Sequence, residues 1–341
     1  MAKQHQQKKV IPPKKKPDTS LRQFSERWYA VIIFVFAIAI YFNSIFNNYN
    51  LDDELVTRNQ RLTSKGIGAI PEIFASPYYQ DQSGYKYEYR PVVLASFAIE
   101  HSLFGDNPHV SHFINVLLYG LMCMLLFLVM KDLLKQYSPL LSFLIVLLFT
   151  AHPIHTEVVA SIKNRDEILA LGFALLSWRV AIRFNNTGKI IQLLFVPVLF
   201  WLGILSKSTS ITFALLIPVS LIMLKGIRLP RLFLITAVLV LPVIFYSRLY
   251  SVVELILLIV AIFISVLLLY LIKDAEFDLK KIRYFLSEKY RLYLQPSIRE
   301  TQSPSSLDFG FFKNKPTFLV LVFFFIALAA TSFWGIFIGN M

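Results

Sequence analysis

Cysteine is almost absent from this sequence. Its 341 residues include a single one, Cys123, which lies inside an apolar run. A disulfide needs two cysteines, so no disulfide framework exists within the chain. Charged residues are also scarce, at 16%, whereas soluble proteins carry about 25%. The sequence therefore excludes a disulfide-stabilised domain and argues against a soluble globular one.

Two common catalytic signatures are missing as well. The chain has no glycine-rich phosphate loop and no Ser-His-Asp arrangement with supporting context. Acidic residues number 21 against 34 basic ones, which gives a net charge of +13. In a soluble protein this excess would suggest nucleic acid. In an apolar chain it is better explained by basic cytoplasmic loops, so we expect no nucleic-acid partner.

Long apolar runs dominate what is present. Hydrophobic residues make up 56% of the chain and the mean hydropathy is +0.59. Several runs reach the length that crosses a bilayer. We predict an all-α polytopic membrane protein with about nine transmembrane helices. The predicted spans are 28–46, 110–130, 139–151, 168–184, 190–205, 211–224, 232–246, 253–272 and 317–338.

The distribution of Lys and Arg predicts the orientation. With a cytoplasmic N-terminus, 25 of these residues fall in inner segments and 9 in outer ones, whereas the opposite orientation would invert this bias. We therefore predict a multi-pass protein of the inner (plasma) membrane with its N-terminus in the cytoplasm. The polar stretches 47–108 and 152–167 then lie on the extracytoplasmic side.

Composition also divides the chain. Residues 1–27 form a basic, proline-rich tail that we predict to be disordered and cytoplasmic, and 28–272 form the transmembrane domain. Its outer loop, 47–108, contains two short apolar segments, 67–74 and 92–104, which we predict to be interfacial helices. A basic amphipathic cytoplasmic segment, 273–316, precedes a last transmembrane helix in 317–341.

Three carboxylates follow the first span directly, in Asp52-Asp53-Glu54. Carboxylates at a membrane surface are costly to desolvate, so they are often functional. We predict that Asp52 or Asp53 acts as a general base that takes the proton of a hydroxyl. A helix cap and a Mg²⁺ or Mn²⁺ site are the alternatives.

A second polar cluster lies between the third and fourth spans, with His152, His155 and Glu157. Two imidazoles and a carboxylate at this spacing are compatible with zinc, but Pro153 interrupts helix geometry between the histidines. We favour side chains that shape a polar cavity and orient a substrate. An ordinary interfacial loop is the remaining alternative.

Cations stand at the outer ends of several predicted spans. Arg90, Arg165 and Lys207 are candidates for binding a phosphate, for which Arg offers a bidentate fork. Snorkelling of these side chains to lipid headgroups is the alternative explanation.

Taken in order, these motifs resemble the membrane domain of the transmembrane-and-tetratricopeptide-repeat protein O-mannosyltransferases and their bacterial relatives, which are GT-C glycosyltransferases. The resemblance covers about residues 40–215, and the His-Pro-Ile-His-Thr-Glu run is its most specific part. The motifs are Asp52-Asp53, Tyr89-Arg90-Pro91-Val92, Gly105-Asp106-Asn107-Pro108-His109, His112, Asn115-Val116-Leu117-Leu118-Tyr119, the segment from Ala151 to Ala160, the segment from Asn164 to Ala170, and Leu205-Ser206-Lys207.

The resemblance implies a sugar donor carried on a polyprenyl phosphate, a reaction on the extracytoplasmic face, and an acidic base in the first outer loop. We expect an inverting glycosyltransferase that modifies Ser or Thr of an exported polypeptide and needs no cofactor or metal. The family usually has Lys-Glu where this chain has Lys207-Ser208, and the usual repeats do not follow. Two alternatives therefore stay open: a non-catalytic subunit that scaffolds an envelope or export complex, and a transporter that uses intramembrane charges.

One spatial expectation follows from the topology. The first and third spans both end outside in clustered charge, which needs water or partners at that depth. We predict that a carboxylate of Asp52 or Asp53 lies within roughly 10–12 Å of the His152 or His155 ring, a few water-bridged hydrogen bonds at most.

Overall fold

A computed structural model of the chain describes residues 19–57, 60–80, 83–84 and 86–246. Over these residues the protein is mostly helical, with short loops between the helices and one antiparallel hairpin whose two strands have two residues each. This confirms the predicted all-α class. The hairpin pairs Tyr79–Gln80 with Lys86–Tyr87. The α-helices are α1 (Thr19–Tyr41), α2 (Ile70–Phe74), α3 (Pro91–Phe104), α4 (Pro108–Leu133), α5 (Pro139–Ala151), α6 (His155–Ala160), α7 (Arg165–Thr187), α8 (Ile190–Ser206), α9 (Phe213–Lys225) and α10 (Leu229–Tyr246).

Within the described residues, four helical segments are long and apolar enough to cross a membrane, so the chain is a multi-pass membrane protein. Three shorter apolar helices, α3, α5 and α8, accompany them. The predicted spans at 253–272 and 317–338 lie outside the described residues. The segment 273–316 and residues 1–18 of the tail predicted at 1–27 also lie outside them. The count of nine spans therefore stays a prediction. The four segments are Glu26–Phe46, Pro108–Leu133, Ser208–Lys225 and Leu229–Tyr246.

Local sequence signals account for the helix boundaries. The side chain of Asn107 accepts a hydrogen bond from the backbone N–H of His109 at 3.0 Å, and a proline occupies the first position of α4. Ser138 caps α5 in the same way, again with a proline next to it. At the other end of α7, Gly188 takes the left-handed conformation that stops a helix.

Helix α7 packs closely on α8 in the middle of the bundle. A Cβ at Gly203 of α8 would lie 3.3 Å from the backbone oxygen of Ala170 and equally close to Ser210 Oγ, so a side chain there would push these neighbours apart by a few tenths of an ångström. Further along α7, the buried Trp178 donates its indole N–H to Ser220 Oγ of α9 at 2.9 Å. This packing fixes α7, whose first turn carries the candidate site.

The loop 47–108 has a small hydrophobic core of its own. Buried apolar residues of the loop, among them Ile73, Leu94 and Phe97, pack against Ile162, which precedes α7. The predicted helix at 92–104 is α3, and the one at 67–74 is a 3-10 segment (Thr63–Ala69) that continues into α2. Their position along the membrane interface stays a prediction.

The polar stretch between the third and fourth predicted spans is short and mostly helical. Helix α5 ends at Ala151, Pro153 lies in the turn, and α6 begins at His155, so the proline separates the two histidines as predicted. A 3-10 turn, Ile162–Asn164, then leads directly into α7. The stretch thereby contacts the loop 47–108, since Ile162 packs in the core of that loop.

Candidate functional site

Asp53 connects the loop 47–108 to the polar stretch 152–167. Its side chain is fully buried in the 3-10 turn Leu51–Leu55. Oδ2 accepts a hydrogen bond from the backbone N–H of Asn50 at 2.9 Å. Oδ1 accepts one from the backbone N–H of Lys163 at 2.9 Å and one from Ser161 Oγ at 3.4 Å. Since hydrogen bonds to a carboxylate are strong, Asp53 fixes two segments that are 110 residues apart.

Asp52, its neighbour, is exposed. Its side chain is 57% accessible, and Oδ2 lies 2.6 Å from the Nζ of Lys163. Lys163 thus contacts both aspartates, one through its backbone and the other through its side chain. Of the two carboxylates, the one of Asp52 is accessible to another molecule.

Arg165, the first residue of α7, lies in a second and fully enclosed group. Its side chain is 1% exposed, and its Nη1 lies 2.7 Å from Oε2 of Glu100, which is 6% exposed. Nε donates to Asn115 Oδ1 at 2.7 Å, and the guanidinium lies 3.9 Å from the centroid of the Phe97 ring. Arg165 therefore joins α3, α4 and α7, and protein groups enclose its charge.

Five charged side chains form what we call the charge cluster: Arg90, Lys207, Glu88, Asp166 and Glu167. The buried Asp166 pairs with Nη1 of Arg90, and its Oδ2 lies 3.4 Å from Nζ of Lys207. Lys207 also contacts Glu167 Oε1 at 2.7 Å. On its other edge, Arg90 directs Nε and Nη2 to Glu88 Oε2, at 2.6 and 2.5 Å.

The carboxylates of the charge cluster keep both of its cations charged. Burial alone would lower the pKa of Lys207, but Asp166 and Glu167 outweigh burial and raise that pKa above its ordinary value. The same balance, with Asp166 and Glu88 as the acidic partners, raises the pKa of Arg90. The charge cluster thus holds two fixed positive charges at the end of the bundle where α7 begins.

The two histidines of the run 152–157 have different surroundings. His152 accepts a hydrogen bond from the backbone N–H of Ile154 at 3.2 Å. The ring of His155 packs on Phe149, with 4.3 Å between the ring centroids, and lies 5.9 Å from Tyr119. Burial, and then the neighbouring His152, lower the pKa of His155 to about 4.

Glu157, the third predicted residue of this run, has an exposed side chain. Its backbone oxygen accepts a hydrogen bond from Asn164 Nδ2 at 3.3 Å, so the run is tied to the turn before α7. Among the residues that the structure describes, no three His, Cys, Asp or Glu side chains are placed to hold one metal ion.

Five of the eight predicted site residues meet around the start of α7. Asp52 and Asp53 contact Lys163, and two residues later Arg165 begins the helix. The next residue, Asp166, pairs with Arg90 and Lys207. Three helical residues span about 5 Å, so the backbone position that contacts the aspartates lies close to the one that carries Asp166 of the charge cluster. The expected approach of an aspartate carboxylate to a histidine ring stays a prediction.

The sequence did not single out the partners of these residues. Asp166 and Glu167 follow Arg165 directly, and Glu88 is two residues from Arg90, but acidic residues next to cations are common in exposed loops. Only the fold shows that they are paired and partly buried. The residues that were missed are Glu88, Glu100, Lys163, Asp166 and Glu167.

Comparison with known proteins confirms the resemblance that the motifs predicted. Residues 90–250 match the family model described as dolichyl-phosphate-mannose-protein mannosyltransferase. That region contains the charge cluster except Glu88, together with the Arg165 group and the histidine run. No solved structure matches the chain at a significant level.

The curated relatives are similar over part of the chain. Protein O-mannosyl-transferase TMTC2 of Homo sapiens is 33% identical over 165 residues, which are 44% of this chain and 18% of that protein. Protein O-mannosyl-transferase TMTC1 of Mus musculus is 36% identical over 111 residues, 31% of this chain and 12% of the relative. TMTC4 of Mus musculus is 35% identical over 114 residues, 30% and 15% of the two chains. The match thus spans less than a fifth of each of these relatives.

Proposed function

We propose that this chain is an integral membrane glycosyltransferase that moves a mannose-like sugar from a polyprenyl phosphate to a protein Ser or Thr hydroxyl on the extracytoplasmic face. One observation carries the proposal: an accessible carboxylate and two fixed cations converge at one end of the bundle, around the first turn of α7. The relatives' names, which specify protein O-mannosyl transfer, and the family model's, which specifies dolichyl-phosphate-mannose, support the reaction type.

Asp52 is the better candidate for the general base, because a base must reach the proton of the acceptor hydroxyl. Its carboxylate is accessible, whereas that of Asp53 is buried with both oxygens hydrogen-bonded. In this proposal Asp53 positions the turn, and Lys163 holds the Asp52 carboxylate in place. The two aspartates therefore have different roles.

Lys207 and Arg90 are the candidates for the phosphate site. Both lie in the charge cluster, both keep their charge, and each retains a small exposed fraction. Arg165 is less suited, since Glu100 already neutralises it in an enclosed setting. Its part is to hold the outer loop against the bundle.

The chemistry needs no group beyond these. The acceptor oxygen attacks the anomeric carbon while its proton passes to Asp52. The bond between that carbon and the phosphate oxygen breaks, its electron pair stays on the phosphate, and the anomeric configuration inverts. Lys207 and Arg90 stabilise the growing negative charge. His152, His155 and Glu157 shape the acceptor side of the cavity, where a neutral His155 presents an uncharged surface.

Product release tests the proposal. Purified protein is incubated in proteoliposomes with polyprenyl-phosphate mannose and a Ser/Thr-rich peptide, and polyprenyl phosphate and mannosylated peptide are quantified. We expect both products in equal amounts. Peptide-dependent turnover that persists in Lys207→Met would argue against the phosphate site, and no turnover with any polyprenyl-phosphate sugar would argue against the enzyme.

A second candidate function is a non-catalytic subunit that scaffolds a membrane complex. Ser208 supports this alternative, because the family usually has a glutamate at this position and one acidic contact would therefore be absent. In this structure Glu167 lies 2.7 Å from Lys207 and supplies an acidic partner from α7 instead. Glu167→Gln separates the two functions: an enzyme would lose turnover, whereas a scaffold would keep its binding partners.

A further inference from the structure

The two edges of the Arg90 guanidinium have different partners. Nη1 pairs with Asp166, which is 1% exposed and anchored at the start of α7. Nε and Nη2, on the opposite edge, both donate to one oxygen of Glu88, whose side chain is 44% exposed. The Nε–Nη2 edge is the fork that grips an oxyanion with two parallel hydrogen bonds. A half-exposed carboxylate therefore covers the edge of Arg90 best suited to a phosphate.

The backbone at Glu88 is strained. Glu88 has a φ of 32°, the one positive value of a non-glycine residue in the described part of the chain. Such a conformation is unfavourable for a residue with a side chain and persists where the surroundings enforce it. Its backbone oxygen accepts a hydrogen bond from the Tyr78 N–H at 3.0 Å, which anchors the main chain. The carboxylate can therefore leave Arg90 by side-chain rotation while the backbone stays in place.

Charge balance favours an exchange of anions at this position. The charge cluster has two cations and three carboxylates, so it carries one excess negative charge. A phosphate added to this arrangement would meet like charge. A phosphodiester that replaces the Glu88 carboxylate brings the same single charge and leaves the balance of the charge cluster unchanged. Lys207 stays beside Asp166 and Glu167 throughout.

We propose that Glu88 is a built-in competitor for the donor phosphate: its carboxylate covers the Nε–Nη2 edge of Arg90 and is displaced when a lipid-linked phosphate binds. This inference rests on the proposed function, because it assumes that Arg90 contacts the phosphate. The consequence is a site that binds phosphate weakly until a ligand with the right headgroup displaces Glu88. The returning carboxylate also helps to expel the phosphate product.

The magnitude follows from the exposure of the ion pair. Arg90 is 10% exposed and Glu88 44%, so their pair lies at the strong end of the range for surface pairs, about fivefold in favour of the closed form. Only the open form has the fork available, so the apparent dissociation constant for phosphate is raised by the same factor. Removal of the carboxylate should therefore tighten phosphate binding by about fivefold.

The test measures binding to the full-length protein in a nonionic detergent by calorimetry. The probes are geranylgeranyl phosphate, inorganic phosphate and, as the uncharged control, geranylgeraniol. Glu88→Gln removes the charge, and Glu88→Gly removes the charge together with the backbone strain. Glu72→Gln is the matched control, because Glu72 is 42% exposed and pairs with Arg61 and Lys65 in the same loop.

We expect both Glu88 variants to bind the two phosphates about fivefold tighter than the parental protein, with Glu72→Gln and the alcohol unchanged. An equal gain for geranylgeraniol would show that the variants merely open the pocket and would overturn the inference. If Glu88→Gln binds phosphate like the parental protein while Arg90→Gln binds it more weakly, the competitor is refuted and the phosphate site stands. If Arg90→Gln has no effect either, the proposed phosphate site fails, and the competitor fails with it.

Discussion

Loss of the Arg165 charge should destabilise the protein strongly. The substitution Arg165→Met keeps an unbranched apolar stem but leaves Glu100, which is 6% exposed, without its ion-pair partner at 2.7 Å. Removal of one member of a buried pair costs about 3–5 kcal/mol, because the remaining charge is buried without compensation. The lost bond to Asn115 and the lost contact with Phe97 add to this cost.

The control is an exposed ion pair in the loop 47–108, which also contains Glu100. Arg61→Met breaks the Arg61–Glu72 contact. At 2.8 Å this contact is nearly as short as the 2.7 Å one between Arg165 and Glu100, but its side chains are 73% and 42% exposed. An exposed pair contributes at most about 1 kcal/mol. Both variants are unfolded reversibly in bicelles, and their free energies of unfolding are compared with that of the parental protein.

The double variant Arg165→Met/Glu100→Gln isolates the cause. Because it removes both charges, it should recover much of the stability that Arg165→Met loses. A loss for Arg165→Met within about 1 kcal/mol of that for Arg61→Met would refute the claim that the charge is enclosed. No recovery in the double variant would refute the pairing with Glu100.

Two further predictions concern stability. The folded-state pKa of His155 is about 4 against an ordinary 6.5, so between these values the unfolded chain binds a proton that the folded chain does not. The free energy of unfolding should therefore fall as the pH drops through this window, by at most about 3 kcal/mol. His155→Phe should flatten this pH dependence in thermal melts at pH 4–7. Parallel pH profiles for the variant and the parental protein would contradict the prediction. Gly203→Leu should lower the melting temperature, because even a Cβ there would lie 3.3 Å from Ala170. Gly172→Leu is its control, since nothing lies within 4 Å of a Cβ at that position, and equal losses would show that the approach of α8 to α7 is not tight.

The sequence predicted the helices well because their signals are local. Apolar runs, the Pro108 and Pro139 helix starts, and the proline between His152 and His155 each act within a few residues. Helices occupy the predicted positions of the seven described spans to within a few residues, and four helical segments are long and apolar enough to cross a membrane.

The pairing of charges was not predictable in the same way. Arg90 and Asp166 are 76 residues apart, so their contact depends on how α3 and α7 pack. Asp52 and Asp53 are adjacent in sequence, yet one is exposed and the other buried, because successive residues of a 3-10 turn point in different directions. Sequence identified the residue types at the site, and only the fold assigned their partners.

The most direct test of the proposed base is the turnover of Asp52→Asn. Initial rates of polyprenyl phosphate release are measured in proteoliposomes for the parental protein, Asp52→Asn, Asp53→Asn and Asp106→Asn. Asp106 is the matched control, because it is 43% exposed and pairs with His101 in the same loop. A general base contributes about 10²–10⁴-fold, so Asp52→Asn should lose at least about 100-fold in rate while Asp106→Asn keeps the parental rate. A parental rate in Asp52→Asn would contradict the account.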